Sequence, residues 1–181
     1  MTEEDIKLVR RTQSGDLEAW GKITRKYKEK VFGLALGIMG EPADADDVVQ
    51  DTFIRAYEKL DQFDQERKFT PWLLTIAGNI ARNKLRRNKF MNPLDNPGWL
   101  KSSESRDPAK KVNQEKKNHL VRDSLAELDE KYRIPIVLRY YGELTYKEIS
   151  KATDLPAGTV KTRLHRAKSK LKNILGGDGN E

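Results

Sequence analysis

Residues 144–171 constrain the fold of this chain more than any other segment. Residues that favour a short helix come first, a turn at Leu155 and Pro156 follows, and a longer helical stretch comes next. Apolar residues recur in that stretch at spacings of four, three and four, which places them on one helical face. They are Val160, Leu164, Ala167 and Leu171. The pattern predicts a helix–turn–helix unit, which presents its second helix to the major groove of DNA.

The second helix is basic on the sides away from its apolar face, and it carries no acidic residue. Thr162, His165 and Arg166 lie opposite the apolar face, with Lys161 and Lys168 on one flank and Arg163 on the other. A solvated basic face on an ordinary helix is the alternative. A compact helix–turn pattern with its own small core favours DNA binding. The candidate DNA-binding residues are Lys161, Thr162, Arg163, His165, Arg166 and Lys168.

Composition narrows the classes of partner and site. The net charge of +7 suits a polyanion, although charge alone does not separate DNA, RNA and an anionic membrane. The chain has no cysteine and only two histidines, so we expect no disulfide, no metal and no cofactor. No apolar run approaches the ~20 residues that span a bilayer, and the acidic start is unlike a signal peptide. We therefore expect a cytoplasmic protein without membrane insertion.

A break divides the chain into two domains. Residues 92–108 are rich in proline, serine and Asn/Asp–Pro steps, which favour turns over helix. We predict an all-α fold with two small helical domains, 1–91 and 109–176, joined by this flexible linker and followed by a disordered tail at 177–181. Trp99 is unusual in a passive tether, and the sequence leaves its role open.

The first domain reads as a four-helix bundle. Thr2 caps the first helix, Gly40 and Pro42 mark the start of the third, and Thr70 caps a fourth that runs from Pro71 to Asn88. The second helix carries a core stripe at spacings of three and four. Its members are Leu17, Trp20, Ile23, Tyr27, Val31, Leu34 and Ile38.

The third helix carries a surface that packing does not explain. Its predicted buried face holds Val49, Phe53, Ala56, Tyr57 and Leu60. The opposite side holds Asp47, Val48, Asp51, Ile54, Arg55 and Glu58. Exposed aliphatic residues among charges are typical of a protein-docking surface. An ordinary acidic surface helix with two stray aliphatic residues is the alternative, and the sequence does not choose between the two.

The fourth helix carries a different polar stripe, formed by Thr75, Asn79, Arg82 and Arg86 and bordered by Trp72 and Asn83. On single-stranded DNA the aromatic ring can stack, the amide can read a base edge and the guanidiniums can hold phosphates. In the alternative reading Trp72 is a core residue and the arginines complement the helix dipole. The combined stripe favours a nucleic-acid face.

Five segments together resemble the bacterial RNA polymerase sigma factors of the sigma-70 family, in the extracytoplasmic-function (ECF) group. They are GDLEAW at 15–20, DADDVVQDTFIRAY at 44–57, FTPWLLTIAGNIARNKLRR at 69–87, LDEKYRIPIVLRYYGELTYKEIS at 128–150 and LPAGTVKTRLHRAKSKL at 155–171. The resemblance implies that the two domains are sigma region 2 and sigma region 4 and that the chain catalyses nothing itself. It implies that the partners are core RNA polymerase, promoter DNA and an anti-sigma factor. It also implies that the free protein is a monomer.

The resemblance also implies roles for individual residues. It assigns Asp47, Val48, Gln50, Asp51, Ile54, Arg55 and Glu58 to polymerase binding, and Trp72, Thr75, Asn79, Arg82, Asn83 and Arg86 to the melted minus-ten element. It assigns the loop at 61–69 to a flipped base, the basic helix of the second domain to the minus-thirty-five element, and the linker to the RNA exit path of the polymerase. Gly78 and Asn83 depart from the family pattern, so the minus-ten preference is open. Pro135 should kink its helix or cost it a hydrogen bond.

Two other classes of protein compete with this reading. An ordinary helix–turn–helix regulator would dimerise on a palindrome, but the sequence shows no long dimerisation seam and a second nucleic-acid face is surplus to that role. A recombinase or nuclease needs a nucleophile or convergent carboxylates near a basic cleft. The acids at 44–51 are spaced for a helix surface instead.

Overall fold

A computed structural model describes residues 3–91 and 120–176, with side chains at 3–88 and 120–175. The first part contains α1 (Glu3–Gln13), α2 (Leu17–Met39), α3 (Pro42–Glu58), a 3-10 turn (Leu60–Gln62) and α4 (Phe69–Met91). The second contains α5 (120–126), α6 (Glu130–Tyr140), α7 (Tyr146–Thr153) and α8 (Ala157–Gly176). These two stretches contain no strand, so the all-α prediction is confirmed. Thr2, the linker with Trp99 and the tail lie outside the described residues, and the domain boundaries remain predictions.

Within the first part, α1, α3 and α4 all pack against α2. Asp16 begins α2 as its N-cap, where its carboxylate accepts a hydrogen bond from the backbone N–H of Ala19 at 3.0 Å. The core stripe predicted for α2 is buried from Ile23 to Ile38. Leu17 was wrongly placed in that core, because it is the first residue of α2, beyond the helices that cover the stripe, and is 66% exposed.

The third helix lies between two neighbours, because it packs against both α2 and α4. Its buried surface is therefore wider than a single stripe. Val48, predicted to be exposed, is fully buried, which corrects its assignment to the docking surface. Tyr57 was predicted to be buried but is 41% exposed. Its ring packs against that of Trp20, with the two centroids 5.4 Å apart.

The fourth helix is longer than predicted. It begins at Phe69, so Thr70 is a helical residue and not the N-cap. Pro71 lies in the first turn, where its missing N–H costs no helical hydrogen bond. Leu73, Ala77 and Leu85 are buried on its inner side.

The helix–turn–helix prediction for residues 144–171 is confirmed as a fold. The side chain of Thr145 accepts a hydrogen bond from the N–H of Glu148 at 3.3 Å, and the Glu148 carboxylate accepts one from the N–H of Thr145 at 2.7 Å. This capping box begins α7, and Asp154 in the left-handed conformation (φ 60°) ends it. Val160, Leu164 and Ala167 of α8 are buried against α6 and α7, as predicted.

The sixth helix continues through Pro135, which is buried in its interior. Proline cannot donate to the carbonyl four residues earlier, so α6 has one helical hydrogen bond fewer. Asp129 begins the helix as N-cap by accepting a hydrogen bond from the N–H of Lys131 at 3.2 Å. The proline therefore weakens α6 but does not end it.

Replacing Thr145 with alanine should destabilise the helix–turn–helix unit by about 1 kcal/mol, because the first turn of α7 loses its cap. Thr145→Ser is the matched control, since serine keeps the hydroxyl that accepts from Glu148. Amide hydrogen exchange of α7 in the full chain measures the effect. Equal exchange rates in the two variants would show that the cap does not hold α7.

Candidate nucleic-acid and protein interfaces

The outer face of α8 is exposed and basic. Lys161, Thr162, His165 and Arg166 are all exposed on it. The hydroxyl of Thr162 donates to the carbonyl of Gly158 at 3.0 Å, one turn back. Ala157–Gly176 contains no acid, so no carboxylate of α8 itself competes for these cations. The geometry suits phosphate and base-edge contacts along one side of the helix.

The two other candidates on α8 lie at its flanks. Lys168 lies over the ring of Tyr140, with Nζ 5.3 Å from the ring centroid. A hydrogen bond with Tyr140 raises the pKa of Lys168 above its ordinary value. Arg163 is half-buried and faces a cleft shared with α4. Five of the six predicted residues are therefore exposed, including Lys168, and Arg163 is the half-buried one.

Trp72 on α4 is held by an aromatic cluster formed with Phe63 and Phe69. Its ring centroid is 4.9 Å from that of Phe63 and 5.4 Å from that of Phe69. Tyr27 of α2 extends the cluster, 5.3 Å from Phe69. Trp72 is half-buried, so it is neither a fully buried core residue nor a free surface ring. The cluster fixes its orientation, which suits a stacking platform.

The polar residues of α4 have partners within the protein. The hydroxyl of Thr75 donates to the carbonyl of Pro71 at 2.7 Å. Asn79 accepts from Arg82 at 3.2 Å, and Arg82 also donates to the backbone carbonyl of Thr153 in α7. The sequence did not predict this last contact, which joins the α4 stripe to the helix–turn–helix unit. Asn83 and Arg86 are exposed.

The outer face of α3 keeps most of its predicted residues. Asp47, Gln50, Asp51, Ile54, Arg55 and Glu58 are exposed. Ile54 is 61% exposed, and Arg55 pairs with Glu58 at 2.8 Å. An exposed isoleucine surrounded by carboxylates is suited to burial against a protein partner with a basic rim. Within the described parts of the chain, no group of three or more acidic or histidine side chains is placed to hold a metal ion.

Lys84 is a functional neighbour of this face that sequence reasoning missed. Its ammonium lies 3.1 Å from Asp44 and hydrogen-bonds Asp47, and its side chain is only 11% exposed. Burial lowers the pKa of Lys84, but the hydrogen bonds to Asp47 and Asp44 outweigh burial and raise the pKa above the ordinary 10.5. The sequence shows Asp44 and Asp47 one helical turn apart, which indicates a possible site for a shared cation. It does not indicate that the cation comes from α4.

Replacing Lys84 with methionine should destabilise the α3–α4 pair by roughly 1 kcal/mol, since it leaves two carboxylates without their shared cation. Because the pKa of Lys84 is raised, its contribution is complete below pH 10.5 and declines as the pH rises through the folded value. Lys22→Met is the control, since Lys22 pairs with Glu18 on an exposed surface. Urea unfolding at pH 7 measures both. An equal loss of unfolding free energy in the two variants would show that Lys84 stabilises the fold no more than an exposed ion pair does.

The chain matches two family descriptions, one in each part. Sigma-70 region 2 matches residues 23–90 and Sigma-70 region 4 matches residues 118–171. The chain is 34% identical to the ECF RNA polymerase sigma factor SigW of Bacillus subtilis, covering 93% of this chain and 95% of that protein. It is 33% identical to the ECF RNA polymerase sigma-E factor of Escherichia coli, covering 93% of each.

Solved structures agree with these sequence matches. The structure of CnrH in complex with the cytosolic domain of CnrY has a TM-score of 0.67 and 27% identity, and covers 98% of this chain and all of that one. The sigma factor RpoE of Bartonella quintana, solved with the anti-sigma factor NepR, also has a TM-score of 0.67, at 23% identity over 86% of this chain and 96% of that one.

The two matched regions and the all-helical fold define a sigma factor. The chain belongs to the sigma-70 family of RNA polymerase sigma factors. The relatives that it matches over nearly their whole length place it in the ECF group. In the stretches 3–91 and 120–176, no helix is long and apolar enough to cross a membrane.

Proposed function

We propose that this protein binds core RNA polymerase, directs it to specific promoters and helps to open the minus-ten element. The observation that carries the proposal is the presence of two basic faces on two matched regions, α4 in region 2 and α8 in region 4. A factor that reads a promoter at two places needs both faces on one chain. A sigma factor also needs a surface that binds core polymerase. The acidic outer face of α3 supplies that surface.

The minus-thirty-five element is proposed to lie on the outer face of α8. Lys161, Thr162, His165 and Arg166 form the exposed surface that enters the major groove. Arg163 and Lys168 flank this surface, where they are placed to reach phosphates beside the groove.

The minus-ten element is proposed to lie on α4 as a melted strand. Trp72 offers a ring held by Phe63 and Phe69, on which an unstacked base can pack. The amide of Asn79 reads a base edge, and Arg82 and Arg86 hold phosphates. Thr75 and Asn83 border this line of contacts.

Core polymerase is proposed to bind the exposed face of α3, from Asp47 to Glu58 but without Val48. The chain contributes recognition and strand separation, and the nucleotidyl transfer belongs to the polymerase. We place this activity in the cytoplasm, with one copy of the chain for each polymerase. An anti-sigma factor that holds the chain inactive is part of the proposal. Its support is that CnrH, which this chain resembles across both regions, was solved in complex with the cytosolic domain of another protein.

Transcription in vitro tests the proposal. Core polymerase with this protein should start transcripts at defined promoters, and sequencing of their 5′ ends should show paired upstream elements. Core polymerase alone should start none of them. Tight binding of the free protein to a palindrome, without polymerase, would instead support the ordinary helix–turn–helix regulator.

A further inference from the structure

A cleft between α4 and the helices of region 4 is lined by cations from both regions. Its volume is about 330 Å³, at the lower end of the range of roughly 300–1,000 Å³ that is typical of small-molecule sites. Arg82 and Arg86 come from α4, whereas Lys131 comes from α6 and Arg163 from α8. Helices α6 and α7 pack against α4, and this packing brings the four cations around one space.

The three arginines of the cleft have no acidic partner. Among the residues that the structure describes, none of the three forms an ion pair with a carboxylate. Arg82 donates to the backbone carbonyl of Thr153 and to the side-chain oxygen of Asn79, and these neutral acceptors do not compensate its charge. Lys131 differs from the arginines, because its ammonium lies 2.9 Å from the carboxylate of Asp129.

The charges around the cleft leave an excess of positive potential. The hydrogen bond to Asp129 raises the pKa of Lys131 above its ordinary value, and Arg163 opposes that rise, so the two cations are close enough to repel each other. Glu130 is the acidic residue in the lining. Its charge also acts on the buried Arg133, where burial lowers the pKa to about 10 and Glu130 opposes the lowering. An anion in the cleft would relieve the repulsion between the cations.

The rest of the lining is largely apolar. It includes Ile134 and Pro135 of α6 and Leu155 of the turn before α8. Guanidinium groups bind phosphoryl oxygens through paired hydrogen bonds, whereas an apolar lining suits an uncharged ring. Inorganic phosphate would leave these apolar residues uncovered. A ligand that joins phosphates to a nucleoside uses both parts of the lining.

We propose that this cleft binds a nucleoside diphosphate. Its phosphates lie between Arg82 and Arg86 of region 2 and Arg163 of region 4, and its base packs on the apolar part of the lining. Because the ligand contacts both regions, it stabilises their packing. The inference goes beyond the proposed function, since it concerns the free chain and needs neither polymerase nor promoter.

Isothermal titration calorimetry of the full chain at low salt tests the proposal, with ADP, GDP, pyrophosphate and adenosine as probes. At least one of the two nucleotides should bind at one site per chain, at least tenfold more tightly than pyrophosphate. Adenosine, which has no phosphate for the arginines, should show no binding. Pyrophosphate that binds as tightly as both nucleotides would overturn the assignment of the apolar lining to a nucleoside.

Arginine variants locate the site. Arg86→Ala and Arg163→Ala should each weaken nucleotide binding at least tenfold, although the two residues belong to different regions. Arg87→Ala is the matched control, because Arg87 is the next residue on α4, is exposed like Arg86 and does not line the cleft. Circular dichroism should show wild-type helical content in all three variants, since none of these side chains belongs to the core.

Two further results would overturn the inference. One is the absence of binding by both nucleotides at about 1 mM, a concentration that detects even a weak site. The other is an equal loss of affinity in all three variants, which would indicate general attraction between an anion and a basic chain. The proposed function is judged separately, by transcription with core polymerase, and neither calorimetric result bears on it.

Discussion

Glutamate in place of Ile54 should weaken binding to core polymerase by about 2 kcal/mol, or roughly thirtyfold. Ile54 is the large apolar side chain on the outer face of α3, and it is 61% exposed without a partner. Asp51 and Glu58 lie one turn away on either side along the same helical face. A new carboxylate would lose apolar burial in the complex and would also repel these two neighbours. The expected effect combines both terms.

Leu17→Glu provides the matched control for this prediction. Leu17 is 66% exposed on α2, so the substitution makes the same chemical change at nearly the same exposure. Both variants should keep the helical content of the wild type, because neither side chain belongs to the core. Fluorescence anisotropy of labelled protein with core polymerase measures the affinities. Equal affinities for the two variants would exclude α3 as the docking surface.

The prediction for α3 shows how far the spacing of apolar residues determines which side chains of a helix are exposed. The pattern correctly placed Ile54 and the surrounding charges on the outside. It failed for Val48 because it assumes one buried face, whereas α3 lies between α2 and α4 and buries two. For α8 the same reasoning placed its apolar stripe and outer face correctly, because its neighbours α6 and α7 cover a single side.

The site on α4 was only partly predictable. The spacing of Asn79, Arg82 and Arg86 predicted a shared stripe, and they do share it. The burial of Trp72 depends on the position of Phe63, which lies in the loop before α4 and packs against the Trp72 ring. The apolar periodicity of a helix does not predict the position of a loop residue. The sequence therefore left two readings of Trp72, and the half-buried ring combines elements of both.

Contacts between the regions could not be predicted from local pattern. Gly78 departs from the family pattern, and the sequence alone relates that departure only to promoter preference. The structure supplies a packing reason, because Leu138 occupies the space that a side chain would need. The two residues are sixty positions apart, and the apolar periodicity of one helix says nothing about which distant helix will meet it.

Alanine in place of Arg166 should cost roughly 1–3 kcal/mol at the minus-thirty-five element and reduce discrimination against a scrambled element. Arg166 is exposed on the outer face of α8, beside His165 and on the side opposite the buried Leu164. Its planar guanidinium can donate two hydrogen bonds to one guanine, which a point charge cannot reproduce. Loss of that contact should weaken the cognate promoter more than random DNA.

Arg166→Lys separates base reading from charge. Lysine keeps a phosphate contact but loses the paired donors, so it should restore the general affinity and not the discrimination. Lys172→Ala is the control, because it removes one exposed charge from the same helix, nearly two turns beyond Arg166. Holoenzyme binding to matched and scrambled promoters measures all three variants. Full rescue of discrimination by lysine would show that Arg166 contacts phosphate and that the base reading belongs to its neighbours on α8.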